Sequence, residues 1–84
     1  MNVLTERLAS DLRRVNRLIR LLREYGAQTK EIDLSTSALP RLRVDRLDTV
    51  ALPLRGIVRT AASGGGWLCS AVLEDCIVSW QEAA

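Results

Sequence analysis

The chain has no histidine and no phenylalanine, one lysine, one tyrosine, two tryptophans and two cysteines. Each scarcity excludes something. Without histidine, the usual general base, nucleophile activator and imidazole metal ligand are all missing. Lys30 is the single side-chain amine, so a serine or cysteine nucleophile finds no obvious activator. Glu74 and Asp75 are adjacent, and on a strand neighbouring side chains point to opposite faces, which is wrong for a two-carboxylate mechanism. Cys69 and Cys76 lack the paired ligands that zinc requires. We therefore expect no catalysis, no cofactor and no metal. The two cysteines stand among apolar neighbours and are expected to be reduced and buried, a disulfide being the other reading. No apolar run approaches the ~18–20 residues needed to span a bilayer, and charges from Glu6 onward interrupt any secretory signal. A cytoplasmic protein without a membrane role is the expectation.

What is present fits one small α+β domain over residues 1–84. Apolar residues make up 48% of the chain, too many for a disordered one. With so few aromatics, the core has to be mainly Leu, Val, Ile and Ala. The formal charge is only +2, but it is unevenly placed. Residues 1–46 carry ten basic and six acidic groups, and residues 47–84 carry two and four. Such a split marks either a polyanion-binding element or an end-to-end dipole.

The first 26 residues give the clearest local signal. From Val3 to Tyr25 there is neither Gly nor Pro, and Gly26 stands where a helix C-terminal cap belongs. At 100° per residue, Leu4, Leu8, Leu12, Val15, Leu18, Ile19 and Leu22 fall within an arc of about 120°. Leu8, Leu12, Val15, Ile19 and Leu22 also alternate by four and three, the spacing of a short coiled-coil seam. That stripe either packs on the protein's own sheet or joins two copies in a homodimer.

Residues 27–48 predict a short strand at Lys30–Ser35, then a turn of helix capped by Ser35 or Ser37 and disturbed by Pro40. Leu42, Val44 and Leu47, set among charged residues, predict an irregular stretch or a second short helix. Residues 49–84 predict a β-hairpin or meander. Thr49 to Ala62 is β-rich, Pro53 marks an edge or a strand end, and Trp67 to Leu73 follows as a strand. Gly64-Gly65-Gly66 lacks the Lys-Ser/Thr ending of a phosphate-binding loop and reads as a hairpin turn. Cys76 to Trp80 fits a last strand after a Glu74-Asp75 turn, although Val72, Leu73, Cys76, Ile77 and Trp80 also fit one helix face. The expected architecture is one long N-terminal amphipathic helix packed on a small antiparallel sheet of three or four strands.

The arginines of the helix are the sharpest functional feature. Arg7, Arg13, Arg14, Arg17 and Arg20 share an arc of about 140° opposite the leucine stripe. Local pairing is expected for Asp11 with Arg7 and Glu24 with Arg20, and Arg14 has Asp11 three positions away. Guanidinium groups match carboxylates and phosphates. Arg13, Arg14, Arg17 and Arg20 are therefore the candidate partner-binding residues, facing an acidic protein surface or, alternatively, a nucleic-acid backbone. Low net charge and few aromatics in the basic region weigh against nucleic acid. The segment Gln28–Ile32 followed by Ser35–Leu42 is similar to a helix-turn-helix. Its spacer is several residues short, and Pro40 falls inside the recognition helix.

A looser resemblance covers most of the chain. A charged N-terminal helix precedes Glu31-Ile32-Asp33-Leu34-Ser35, then Ala38-Leu39 and Leu42. Leu54-Arg55-Gly56-Ile57-Val58 and Gly66-Trp67-Leu68 follow. This order resembles that of short accessory proteins encoded by tailed bacteriophages. The resemblance implies stoichiometric inhibition of a host protein in the host cytoplasm, as anti-defence proteins such as anti-CRISPR inhibitors do, or a minor part in virion assembly. It assigns no role to any individual residue.

Overall fold

Leucine-rich, glycine-free sequence with an apolar arc builds a 22-residue helix, α1 (Val3–Glu24). A computed structural model of the chain describes residues 3–34 and 39–83. Helix α1 ends where Gly26 adopts φ +82. The Ala27 amide donates to the Leu22 carbonyl at 3.0 Å and the Gly26 amide to the Arg23 carbonyl at 3.1 Å. This paired capping pattern satisfies the last carbonyls and turns the chain back along the helix. Ala27 and Leu22 are both buried, which adds the apolar contact that accompanies such a cap.

Five strands follow: β1 (Thr29–Asp33), β2 (Arg41–Val44), β3 (Arg55–Ala61), β4 (Trp67–Leu73) and β5 (Cys76–Glu82). They form one sheet in the order β1-β2-β5-β4-β3. The α+β class and the long N-terminal helix are as expected, but the sheet has five strands, and β2 pairs with β5 in parallel. Arg41-Leu42-Arg43-Val44, expected to be irregular or helical, is the missing strand. Its alternation puts Leu42 and Val44 into the core and both arginines outside. Because Thr29–Asp33 and Arg41–Val44 are paired strands, the helix-turn-helix similarity does not hold. The expected cap at Ser35 or Ser37 lies outside the described residues.

The C-terminal half is a meander. Ser63–Gly66 turns β3 into β4, and Glu74-Asp75 turns β4 into β5. Both turn residues of the second hairpin have positive φ, 52° and 59°. These angles suit the right-handed twist of a two-residue hairpin, but they cost non-glycine residues of order 1 kcal/mol each. The strand reading of Cys76–Trp80 is therefore correct and the helical one is not. The β-rich reading of Thr49–Ala62 is correct only from Arg55 onward. Val50 is 94% exposed in a turn, whereas Leu52 folds into the core from the connection. Gly56, at φ +59, opens a bulge in β3: Arg55 pairs with Val72 and Val58 with Ser70, so Gly56 and Ile57 together face Ala71.

Helix α1 packs on one face of the sheet. The core comprises Val15, Leu18 and Leu22 from the helix, Leu42 and Val44 from β2, Cys69, Ala71 and Leu73 from β4, and Cys76, Val78 and Trp80 from β5. The other sheet face has no layer over it among the described residues, and Val58 and Leu68 are exposed there. Among the described residues, no helix is long and apolar enough to cross a membrane.

One core-facing position of the helix is not apolar. Asp11 is only 8% exposed, and its carboxylate lies 3.9 Å from the Arg14 guanidinium, too far for a hydrogen bond. A contact this long, to a cation that is itself partly exposed, contributes little to stability. Asp11→Leu, which extends the apolar arc, is therefore expected to stabilise the fold by about 1–2 kcal/mol, seen as a higher urea midpoint. A lower midpoint would show that the pair contributes more than its length suggests.

Candidate partner-binding face

Because Val15, Leu18 and Leu22 are locked into the core, the rotation of α1 is fixed, and so is the direction of every arginine on it. Arg13, Arg17 and Arg20 occupy i, i+4 and i+7 on the side away from the sheet. They form one ridge about 10 Å long, given a rise of 1.5 Å per residue. All three are exposed, and none makes an ion pair among the described residues. A rigid helix thus presents three guanidinium groups held in no ion pair among the described residues, with exposed Glu24 one turn beyond Arg20, an arrangement suited to carboxylate or phosphate.

Arg14, the fourth candidate, is turned toward the sheet rather than along the ridge. Its side chain is 36% exposed, and its guanidinium is the group paired with Asp11. The expected Asp11–Arg7 and Glu24–Arg20 pairs do not form. Asp11 is drawn into the buried face, where Arg14, three residues on, is the cation that reaches it. The sequence arc also passes over Arg23, which is exposed and lines a concavity of about 280 Å³ with Ile19, Ala27, Gln28 and Thr29. Its position between the leucine stripe and the ridge was legible from the 100° periodicity.

The homodimer seam is not available as expected. Val15 and Leu22 are 1% and 0% exposed in the protein's own core, and Ile19 is packed against it. Only Leu8 and Leu12 remain open, at 46% and 43%. The seam and the core need the same residues, and the sheet takes them.

Two anchors hold the scaffold around this face. The Asp45 carboxylate accepts from the amides of Gln28 and Arg46, both at 2.8 Å, while Arg46 Nε donates to the Gly26 carbonyl at 3.1 Å. These bonds tie the turn after α1 to the end of β2. The amide of Gln28 holds the Asp45 carboxyl below its ordinary 3.8. At the far end of β5, Glu82 accepts from Trp80 Nε1 at 3.0 Å and from Arg59 Nε at 3.2 Å. The Trp80 bond, then Arg59, holds its carboxyl below its ordinary 4.5. Both carboxyls are depressed on folding, so what they contribute is present above the ordinary carboxylate range and is lost as pH falls through their lowered values. A third pair, Arg43 with Glu31 at 2.9 Å, lies across β1 and β2 on the open sheet face.

The cysteines are free and buried, Cys69 at 3% and Cys76 at 0% exposure. They stand at opposite ends of the β4–β5 ladder, Cys69 opposite Trp80 and Cys76 opposite Leu73, so they are not placed to bridge each other. Burial raises both thiols above their ordinary 9.0. Alkylation of the native protein is therefore expected to run no faster than the fold opens, and mild urea should accelerate it steeply. Prompt labelling of either thiol in native buffer would contradict the burial. Among the described residues, no group of three His, Cys, Asp or Glu side chains is placed to hold one metal ion.

No protein-family model matches the chain, and neither does any curated protein or solved structure.

Proposed function

We propose that this is a non-enzymatic, cofactor-free interaction protein whose arginine ridge on α1 docks against the acidic surface of a protein partner. The observation that carries the reading is the ridge itself: Arg13, Arg17 and Arg20 are exposed and without an ion pair among the described residues, on a helix held in one rotation by its buried face. A positive row meeting a negative patch steers encounter and fixes register. Arg14 supports it from the flank and gives up its contact with Asp11 if recruited.

The resemblance to short phage accessory proteins gives the biological form of this binding. The protein acts by stoichiometric inhibition of a host defence protein, in the host cytoplasm. The alternative is a small nucleic-acid-binding regulator using the same ridge. The spread of ten basic groups into the first 46 residues favours that alternative, and the overall charge of only +2 opposes it.

Affinity capture from host lysate, with and without nuclease and read by mass spectrometry, separates the two. One stoichiometric protein that survives nuclease is the expected result. Recovery that disappears with nuclease would replace the proposal with the nucleic-acid reading. Affinity would then fall log-linearly with salt, with a slope near the number of phosphates contacted.

A further inference from the structure

Beside the arginine ridge, α1 exposes apolar surface that the core does not use. Leu8 is 46% and Leu12 43% exposed, although both belong to the apolar arc of the helix. The reason is position along the helix: both stand N-terminal to Val15, the first apolar residue that α1 gives to the core, on the side of α1 nearest β1, the strand at the edge of the sheet. Ile19, on the same flank, shares a concavity with Thr29, the first residue of β1. From Ile19 to Leu12 the helix runs back about 10 Å, and from Thr29 to Ile32 the antiparallel-running β1 advances about the same distance. Ile32 pairs with the buried Leu42, so its side chain is on the helix side of the sheet, yet it is 49% exposed. Leu8, Leu12 and Ile32 thus form one apolar strip along the outer edge of the helix–sheet layer.

Arg13 borders this strip, and Arg20 and Arg23 continue the cationic side of the helix about 12 and 17 Å beyond Leu12, all three exposed. An apolar row bordered by guanidinium groups is complementary to an amphipathic segment with an apolar row bordered by carboxylates.

We infer that the partner contacts this face through an amphipathic acidic segment lying along α1, its apolar side chains seated on Leu8, Leu12 and Ile32 and its carboxylates on Arg13 and, farther along the helix, on Arg20 and Arg23. This rests on the reading that the ridge meets an acidic protein, and it adds the apolar anchor that charge alone lacks. Desolvated apolar contacts at the centre and charged contacts at the rim are how such interfaces divide affinity from steering.

Three synthetic peptides test it by fluorescence anisotropy. The first has Leu at helical i, i+3 and i+7 bordered by Glu, the second has the same leucines bordered by Lys, and the third keeps the Glu residues but replaces the leucines with Ser. The full-length protein is expected to bind the first at least about tenfold more tightly than either of the others. L8Q/L12Q, at two exposed positions, should lose about tenfold in affinity for the first peptide while its melting temperature holds. If the Leu-to-Ser peptide binds as well as the first and L8Q/L12Q changes nothing, the apolar anchor is refuted while the arginine reading stands. If the Lys-bordered peptide binds as tightly as the Glu-bordered one, the arginine reading fails and this inference fails with it. Failure of all three to bind overturns the inference. So does a dimer in sedimentation that L8Q/L12Q returns to monomer, since a second copy then occupies the strip.

Discussion

Replacing Trp80 with alanine should destabilise the protein by about 3–5 kcal/mol and leave it largely unfolded at room temperature. Trp80 is 2% exposed and sits on the helix side of β5, the strand that joins the parallel and antiparallel parts of the sheet. Its cross-strand partner on β4 is Cys69, a side chain too small to fill the volume that alanine would leave. Its indole N–H also donates to Glu82 at 3.0 Å, and alanine abolishes that bond while opening the cavity. Urea titration followed by circular dichroism gives the size of the effect. Leu68→Ala is the matched control: Leu68 is 47% exposed on the open sheet face, and its loss should cost well under 1 kcal/mol. Trp80→Phe separates the two contributions, retaining most of the ring and losing the hydrogen bond. If Trp80→Ala costs no more than Leu68→Ala, α1 does not cover this part of the sheet.

The helix was legible in the sequence because every signal agreed there: period, absence of Gly and Pro, and a glycine at the C-terminal cap. The hairpins were legible because Gly64–Gly66 and Glu74-Asp75 punctuate runs of β-branched residues. Strand β2 was not, and its four residues show why. Arg41-Leu42-Arg43-Val44 alternates perfectly, but Pro40 before it and the charged Asp45-Arg46 after it leave too short a window for periodicity to decide. Its strand character comes from pairing on both sides, with β1 and β5. The β5 contact is parallel and spans more than thirty residues of sequence, a tertiary effect that no local pattern encodes. Asp11 marks a different limit. Its angle places it in the buried arc, yet its charge reads as surface, so local reasoning paired it with Arg7. Burial instead leaves Arg14 as the cation that reaches it. The 100° arc gives the direction of Arg13, Arg17 and Arg20, away from the sheet, but not that of Arg14, which turns toward Asp11. Which leucines stay exposed depends on how far α1 runs past the core, since Leu8 and Leu12 stand N-terminal to Val15, the first apolar helix residue in it.

Reversing the ridge, R13E/R17E/R20E, should weaken binding to an acidic partner by about a hundredfold or more while leaving the fold intact. The first half follows from charge: each reversal replaces an attraction with a repulsion. At about 1 kcal/mol or somewhat more per contact, three together exceed the 2.8 kcal/mol that a hundredfold change requires. The second half follows from geometry. All three side chains are exposed, none is ion-paired among the described residues, and Glu is about as good a helix former as Arg. Arg14→Glu is the informative companion. It places a second carboxylate beside buried Asp11, so it should lower the melting temperature while weakening binding less than the ridge variant does. Most of the ridge effect should appear in the association rate and shrink as salt is raised, because exposed charges steer encounter over a Debye length of about 8–10 Å. If the triple variant binds as the parent protein does, the arginines are a solvated face and the partner lies elsewhere. If it instead binds an acidic peptide poorly but still captures its lysate partner, the ridge recognises charge in general, and the apolar strip of Leu8, Leu12 and Ile32 carries the specific contact.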